Sequence, residues 1–199
     1  MTQARFLAIE RITHRAALVG RVIDGLAQTP LAGVEVAITS GPPAWIAHVA
    51  ALREGQPAAR PGRCVSDAAG WFRWLDLPPG AYALSAAIPG SRYAAATGTA
   101  TVVAARAAAT ELALAPTAVS GIVVAGAPAV PLAMARVRFA DSDDTTYTAA
   151  DGSFTLSPVE AGASRALEVS AQSYITSILA VALSQGQTTT AANITLIHS

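Results

Sequence analysis

The sequence predicts an all-β protein: two antiparallel β-sandwiches in tandem, with a short helical insertion in the first. Three observations predict it. Gly20, Pro30-Leu31-Ala32, Val36 and Ile38 recur as Gly121, Pro131-Leu132-Ala133, Val137 and Phe139, each 101 residues later, which marks two copies of one structural unit. Further on, Gly70, Phe72, Leu77, Gly80, Leu112 and Leu114 recur as Gly152, Phe154, Val159, Gly162, Ile194 and Leu196, now 82 residues later, so copy one carries 19 extra residues between Ile38 and Ser66. Finally, apolar and polar residues alternate in short runs punctuated by Gly and Pro, the pattern of strands that bury one face. At 199 residues the chain divides into an N-terminal arm (1–16), a first sandwich (17–116, insertion 39–65) and a second sandwich (117–199).

The elements follow in order. In copy one, 17–23 is a strand ended by Asp24-Gly25, 33–39 a second, and 71–75 a third after the turn at 67–70. Pro78-Pro79-Gly80 punctuates before 82–88, and 99–103 and 111–115 close the unit. Copy two repeats the plan with strands at 119–124, 135–140, 145–149, 153–157, 166–171, 176–183 and 192–197. Asp151-Gly152 supplies the positive φ of a tight turn, and Ala69-Gly70 is its counterpart. The aromatics that follow these glycines, Phe72 and Phe154, are expected to point inward as core anchors. Short strands at this spacing describe β-sandwiches.

Four consecutive segments of copy one now carry a family resemblance: Gly20-Arg21-Val22-Ile23-Asp24, Pro30-Leu31-Ala32-Gly33-Val34, Ser66 to Phe72, and Leu77-Pro78-Pro79-Gly80-Ala81-Tyr82. Together they resemble the carboxypeptidase regulatory-like domain, which is similar in architecture to transthyretin and to the B-type repeats of bacterial adhesins. The resemblance implies prealbumin-like or Ig-like sandwiches. Copy two keeps Ala150-Asp151-Gly152-Ser153-Phe154 but has Glu160-Ala161-Gly162-Ala163-Ser164 where the Pro-Pro-Gly-x-Tyr phrase would stand. The family accompanies metallocarboxypeptidases as an appendage, so the resemblance brings no catalytic residues with it. It also implies work outside the cell or in the periplasm.

Two segments fall outside the repeat. The insertion holds Ala44 to Glu54, good helix formers after Pro42-Pro43, with Trp45, Val49 and Leu52 at i, i+4 and i+7 on one stripe. That stripe suits either a helix capping its own sandwich or one docking on a partner protein. The arm carries Phe6, Ile9 and Ile12 among Arg5, Arg11 and Arg15, suited either to self-packing or to docking on a neighbour. Trp71 and Trp74 lie three apart on one strand and so face opposite ways; either suits the folded core or a sugar- or partner-binding platform, and Trp74 is the platform candidate.

Composition excludes several kinds of chemistry. All thirteen basic residues are arginine, which removes lysine-based catalysis and lysine isopeptide cross-links. Thirteen acidic residues cancel them, so no long-range field draws nucleic acid or an anionic membrane. The lone Cys64 has no partner for a disulfide within the chain. The uncharged stretch 112–135 is interrupted by Pro116, Gly121, Gly126, Pro128 and Pro131, so no membrane span is expected. His14, His48 and His198 share no metal-binding spacing, and no Gly-x-Ser-x-Gly elbow occurs. Asp141, Asp143, Asp144 and Asp151 form the densest acidic cluster and are weak calcium candidates, against the simpler reading of a solvated turn. No enzyme and no cofactor are expected. Glu10, Arg11 and Arg15 interrupt the apolar run of an export leader, so a cytoplasmic location is expected. The expected function is structural or adaptor work through other protein subunits, as in an accessory subunit of a phage-tail-like contractile particle. The alternative is a carbohydrate-binding or adhesin-type surface module.

Overall fold

The computed structural model describes residues 15–55, 61–104 and 106–199. Phe6, Ile9 and Ile12 lie outside the described residues. The first sandwich runs β1 (Ala16–Asp24), β2 (Glu35–Ser40), α1 (Pro43–Gly55), β3 (Arg63–Val65), β4 (Trp71–Leu75), β5 (Gly80–Ala87), β6 (Ala96–Val102) and β7 (Ala108–Leu114). The second runs β8 (Ala118–Ala125), β9 (Val130–Pro131), β10 (Arg136–Phe139), β11 (Thr145–Tyr147), β12 (Ser153–Leu156), β13 (Gly162–Ser170), β14 (Ser177–Leu183), β15 (Thr188–Thr190) and β16 (Ile194–Leu196).

Each sandwich faces one sheet against another. In the first, sheet β4-β1-β7 covers sheet β3-β2-β5-β6; in the second, β12-β8-β15 covers β11-β10-β13-β14, with β9 and β16 also pairing with β8. The first core gathers Leu18, Val22, Val36, Phe72, Tyr82 and Leu84, the second Val123, Val137, Phe139, Phe154, Leu167 and Leu196. Burial of alternate side chains along each strand supplies the drive for both.

The repeat read from sequence has a physical cause at each position. A Cβ on Gly20 would lie 2.1 Å from the Phe72 ring, and one on Gly121 2.8 Å from the Phe154 ring, so each glycine clears the space its aromatic fills. Gly70 and Gly152 sit at φ +77 and +75, and their carbonyls accept from Val22 N and Val123 N at 2.8 Å. The 82-residue spacing also appears as register: Leu112 stands opposite Val22, and Ile194 opposite Val123.

Three details depart from the expected plan. β7 runs parallel to β1, and β15 and β16 run parallel to β8, while the other strand pairings among the described residues are antiparallel. The closing strand of sandwich two is split into β15 and β16 around Ala191, whose N–H still reaches Ser120 O at 2.7 Å. β3, β9 and β15 were not expected from sequence; with two or three residues each, they are too short to show alternation.

The insertion forms the expected helix. Pro43 takes the first helical position, where a missing N–H costs nothing, and Pro42 O accepts from Trp45 N and Ile46 N. Trp45 turns inward, 8% exposed, with its ring edge-on to Tyr82 at 6.2 Å; Val49 packs against the same core and Leu52 is half-buried. The docking reading of this stripe is therefore corrected: the helix caps its own sandwich. The physical reason is the missing side chain at Gly41, where a Cβ would lie 2.6 Å from the indole. No helix among the described residues is long and apolar enough to cross a membrane.

Candidate functional site

Trp74 is also corrected. It is 7% exposed, packed edge-on to Phe72 at 5.5 Å, whereas Trp71 is 48% exposed under the Arg21 guanidinium at 5.7 Å. Phe72 fixes the parity of β4: its ring must enter the space over Gly20, so Trp74, two residues on, also enters, and Trp71 is left outside. Leu75 and Val65 are exposed on the same sandwich.

The acidic cluster disperses into ion pairs and turns. Asp141 accepts from Arg165 Nε at 3.2 Å and also from Nη2, and that bond holds its carboxyl below the usual carboxylate range. Arg165 is itself buried, with its guanidinium 4.2 Å over the Phe139 ring. Asp151 caps its own turn, accepting from Ser153 N and Oγ, which lowers its carboxyl in turn. Asp143 is exposed and Asp144 faces Arg92. Among the described residues, no three His, Cys, Asp or Glu side chains gather to hold a metal ion. The calcium candidates do not converge: Asp141 and Asp144 turn to different arginines and Asp151 to its own turn.

The densest polar constellation is the junction between sandwiches. Arg92, on the loop between β5 and β6, grips Asp144 with two parallel bonds, Nη1 to Oδ1 at 2.9 Å and Nη2 to Oδ2 at 3.1 Å. Its Nε donates to Glu160 at 3.1 Å, and Nη1 also reaches Pro158 O at 2.7 Å. A planar guanidinium can satisfy all of these at once, which an ammonium could not. The bond to Asp144 raises the arginine's own pKa, while Ser91 and then Arg92 lower that of Glu160. Below them Thr117, fully buried, ties both sides: its Oγ1 donates to Ser91 O at 2.9 Å and accepts from Gly186 N at 2.9 Å. Gln185 Nε2 adds a bond to Tyr93 O at 2.6 Å. The few residues linking β7 to β8 are thus stitched to both neighbours.

Sequence reasoning missed this junction, and the signal that would find it is a departure from the repeat. Tyr93 and Tyr174 hold matching places, bridging Pro116 and His198 respectively. Beside them Arg92 corresponds to Ser173, and Asp24 to Ala125. In sandwich one, Tyr93 Oη donates to buried Asp24 at 2.9 Å, which also caps the turn through Leu26 N and Ala27 N. Burial pushes the Tyr93 hydroxyl well above its ordinary pKa, and the hydrogen bond to Asp24 adds to the rise.

In sandwich two the matching end is open. A groove of about 660 Å³ runs between β9 and β16, walled by Ala125, Pro128, Val130, Pro131, Tyr174 and Ile197. Val130 and Ile197 are 58% and 68% exposed, and Ile175 nearby 57%. Its walls are apolar, as a binding cleft's are.

The fold and these surfaces define the class: two prealbumin-like sandwiches joined end to end. The second of them, residues 118–197, matches the family model of the carboxypeptidase regulatory-like domain. The family match thus falls on copy two, whose plan runs without the 39–65 insertion, although copy one carries more of the quoted phrases. No curated protein matches the chain. Among solved structures, the chain is similar to the shaft pilin SpaA from Lactobacillus rhamnosus GG, at 12% identity over 94% of this chain and 98% of that one, with a TM-score of 0.43. It is similar to GBS52, the minor pilin of Streptococcus agalactiae, at 14% identity over 92% and 95%, with a TM-score of 0.33. It is also similar to the Bacillus anthracis TIE protein, at 12% identity and a TM-score of 0.42, covering 92% of this chain and 34% of that one. The chain therefore spans about a third of that last protein. At such identities the likeness concerns fold alone.

Proposed function

We propose that this chain is a non-enzymatic structural or adaptor subunit that works through contacts with other proteins. The observation that carries this reading is the junction. Arg92, Ser91 and Thr117 spend their hydrogen bonds on fixing one sandwich to the next, while exposed apolar side chains, Trp71 and those of the far groove among them, face outward. Polar groups used for rigidity and apolar groups offered to the outside describe a spacer that presents surfaces. A stiff unit with unlike ends suits ordered stacking, and we place it as an accessory subunit of a phage-tail-like contractile particle assembled in the cytoplasm. Affinity purification from the native host, read by mass spectrometry, tests this: the chain is expected to travel with a large particle and a fixed set of subunits. Recovery only as a free monomer, with no companion enriched, overturns it.

A second reading rests on Trp71, whose exposed indole beside Arg21 offers a flat platform of the kind that stacks on a sugar ring. A carbohydrate-binding or adhesin-type module would show a glycan-array signal abolished by Trp71→Ala. An array silent for both proteins rules this reading out.

A further inference from the structure

We propose that the open groove of sandwich two receives the apolar N-terminal segment of a second copy, around Phe6, Leu7, Ile9 and Ile12, so that copies join head to tail. This rests on the assembly reading above and names its partner as the chain itself.

The internal repeat shows what the groove lacks. At the matching end of sandwich one, Asp24 fills the site, Tyr93 is 8% exposed, and the arginine clamp seats the next sandwich. At the end of sandwich two, Ala125 replaces the carboxylate and Ser173 the arginine, so neither polar anchor is present. What remains is apolar and open, with Val130, Ile175 and Ile197 all more than half exposed. An occupant that fits must bring apolar side chains, and it needs no acidic pair of the Asp144 and Glu160 kind.

The arm is one such stretch beyond the repeated units; the other, the insertion, turns Trp45 and Val49 into its own core. Four large apolar residues fall within the seven positions from Phe6 to Ile12, with no counterpart ahead of copy two. Their own copy's groove is out of reach. Arg15 stands at the start of β1, and the groove lies at the far end of β8, past the junction. β7, parallel to β1, leaves at the Asp24 end and leads directly into β8, and among the described residues no strand of one sandwich pairs with a strand of the other. Two strands of nine and eight residues, laid end to end, span about 56 Å. From Arg15 back to Phe6, extended chain covers at most about 32 Å. The groove must take the segment from another molecule, and the vacant groove of that molecule then takes a third: a heterologous contact that propagates.

Sedimentation velocity of the full chain across about 1 µM to 1 mM tests the proposal. The wild-type chain is expected to form a concentration-dependent series of oligomers. Val130→Glu and Ile197→Glu place a carboxylate in the groove at exposed positions, and each is expected to weaken association by about tenfold or more while leaving the melting temperature unchanged. Phe6→Glu/Ile9→Glu should do the same from the other side. Mixing Val130→Glu with Phe6→Glu/Ile9→Glu should restore dimers and nothing longer, because the mixture retains one working arm and one working groove per pair. A wild-type chain that stays monomeric throughout, oligomers that persist in both groove variants, or a mixture without dimers would each overturn the proposal. If partners are still recovered from the host in that case, the groove belongs to another protein and the assembly reading stands.

Discussion

Ser66 and Thr148 do the same work in the two sandwiches. Each buried hydroxyl donates to a carbonyl, Leu31 O or Leu132 O, and accepts from an amide, Val34 N or Ala135 N, at 2.6 to 3.0 Å. Ser66→Ala and Thr148→Val leave both backbone groups buried and unpaired, and each is expected to cost about 1–3 kcal/mol by urea denaturation. Gly20→Ala should cost a similar about 1–3 kcal/mol through overpacking, and more than Gly121→Ala, because its Cβ would lie nearer the ring below. The glycines and aromatics were legible because their identities repeat. The hydroxyls were not, because serine in one copy and threonine in the other perform one role under two letters. The parity of Trp71 and Trp74 was legible as opposition, but which ring enters depended on Phe72 and the gap at Gly20, a contact across sheets that alternation along one strand does not encode.

The helix is where sequence and structure agree on the element and differ on its use. Its stripe at Trp45, Val49 and Leu52 was plain from periodicity, yet the same stripe serves a core or a partner equally well. Burial decides: Trp45→Ala is expected to destabilise the chain by about 3–5 kcal/mol, measured by thermal or urea unfolding. Trp71→Ala, on an exposed face, should change stability by only about 0.5 kcal/mol. Beside this helix, β3 carries Cys64, whose thiol burial pushes up to about 11 from 9.0. The folded chain thus keeps the proton that the unfolded chain gives up, so this contribution is fully present below pH 9 and fades as pH rises from 9 to 11. Native Cys64 should resist iodoacetamide at pH 8, and react once the chain is unfolded in urea.

Across the whole molecule, the tandem plan was written in the repeat, but the joint was not, since Arg92 meets Asp144 and Glu160 across 52 and 68 residues of sequence. Pairings that distant leave no local pattern; they show only as places where the copies disagree. Arg92→Ala should separate the two sandwiches' unfolding into distinct calorimetric transitions and raise the radius of gyration seen by small-angle scattering. Acid should act in the same direction. The folded pKa of Glu160 is depressed, so its contribution is present above its ordinary value of 4.5 and is lost as pH falls through the lower folded value. The loosening is expected below pH 4.5, and Glu160→Gln should show it already at neutral pH. The parallel pairing of first and last strands gives each sandwich a direction of strength. Tension drawn through the backbone enters at the head of β1 and leaves at the tail of β7, and it enters β8 and leaves β16 in the same sense. The ladder is then sheared along its length, with its bonds sharing the load together and none peeled off first, so that a chain hauled from its two ends resists as a tether would.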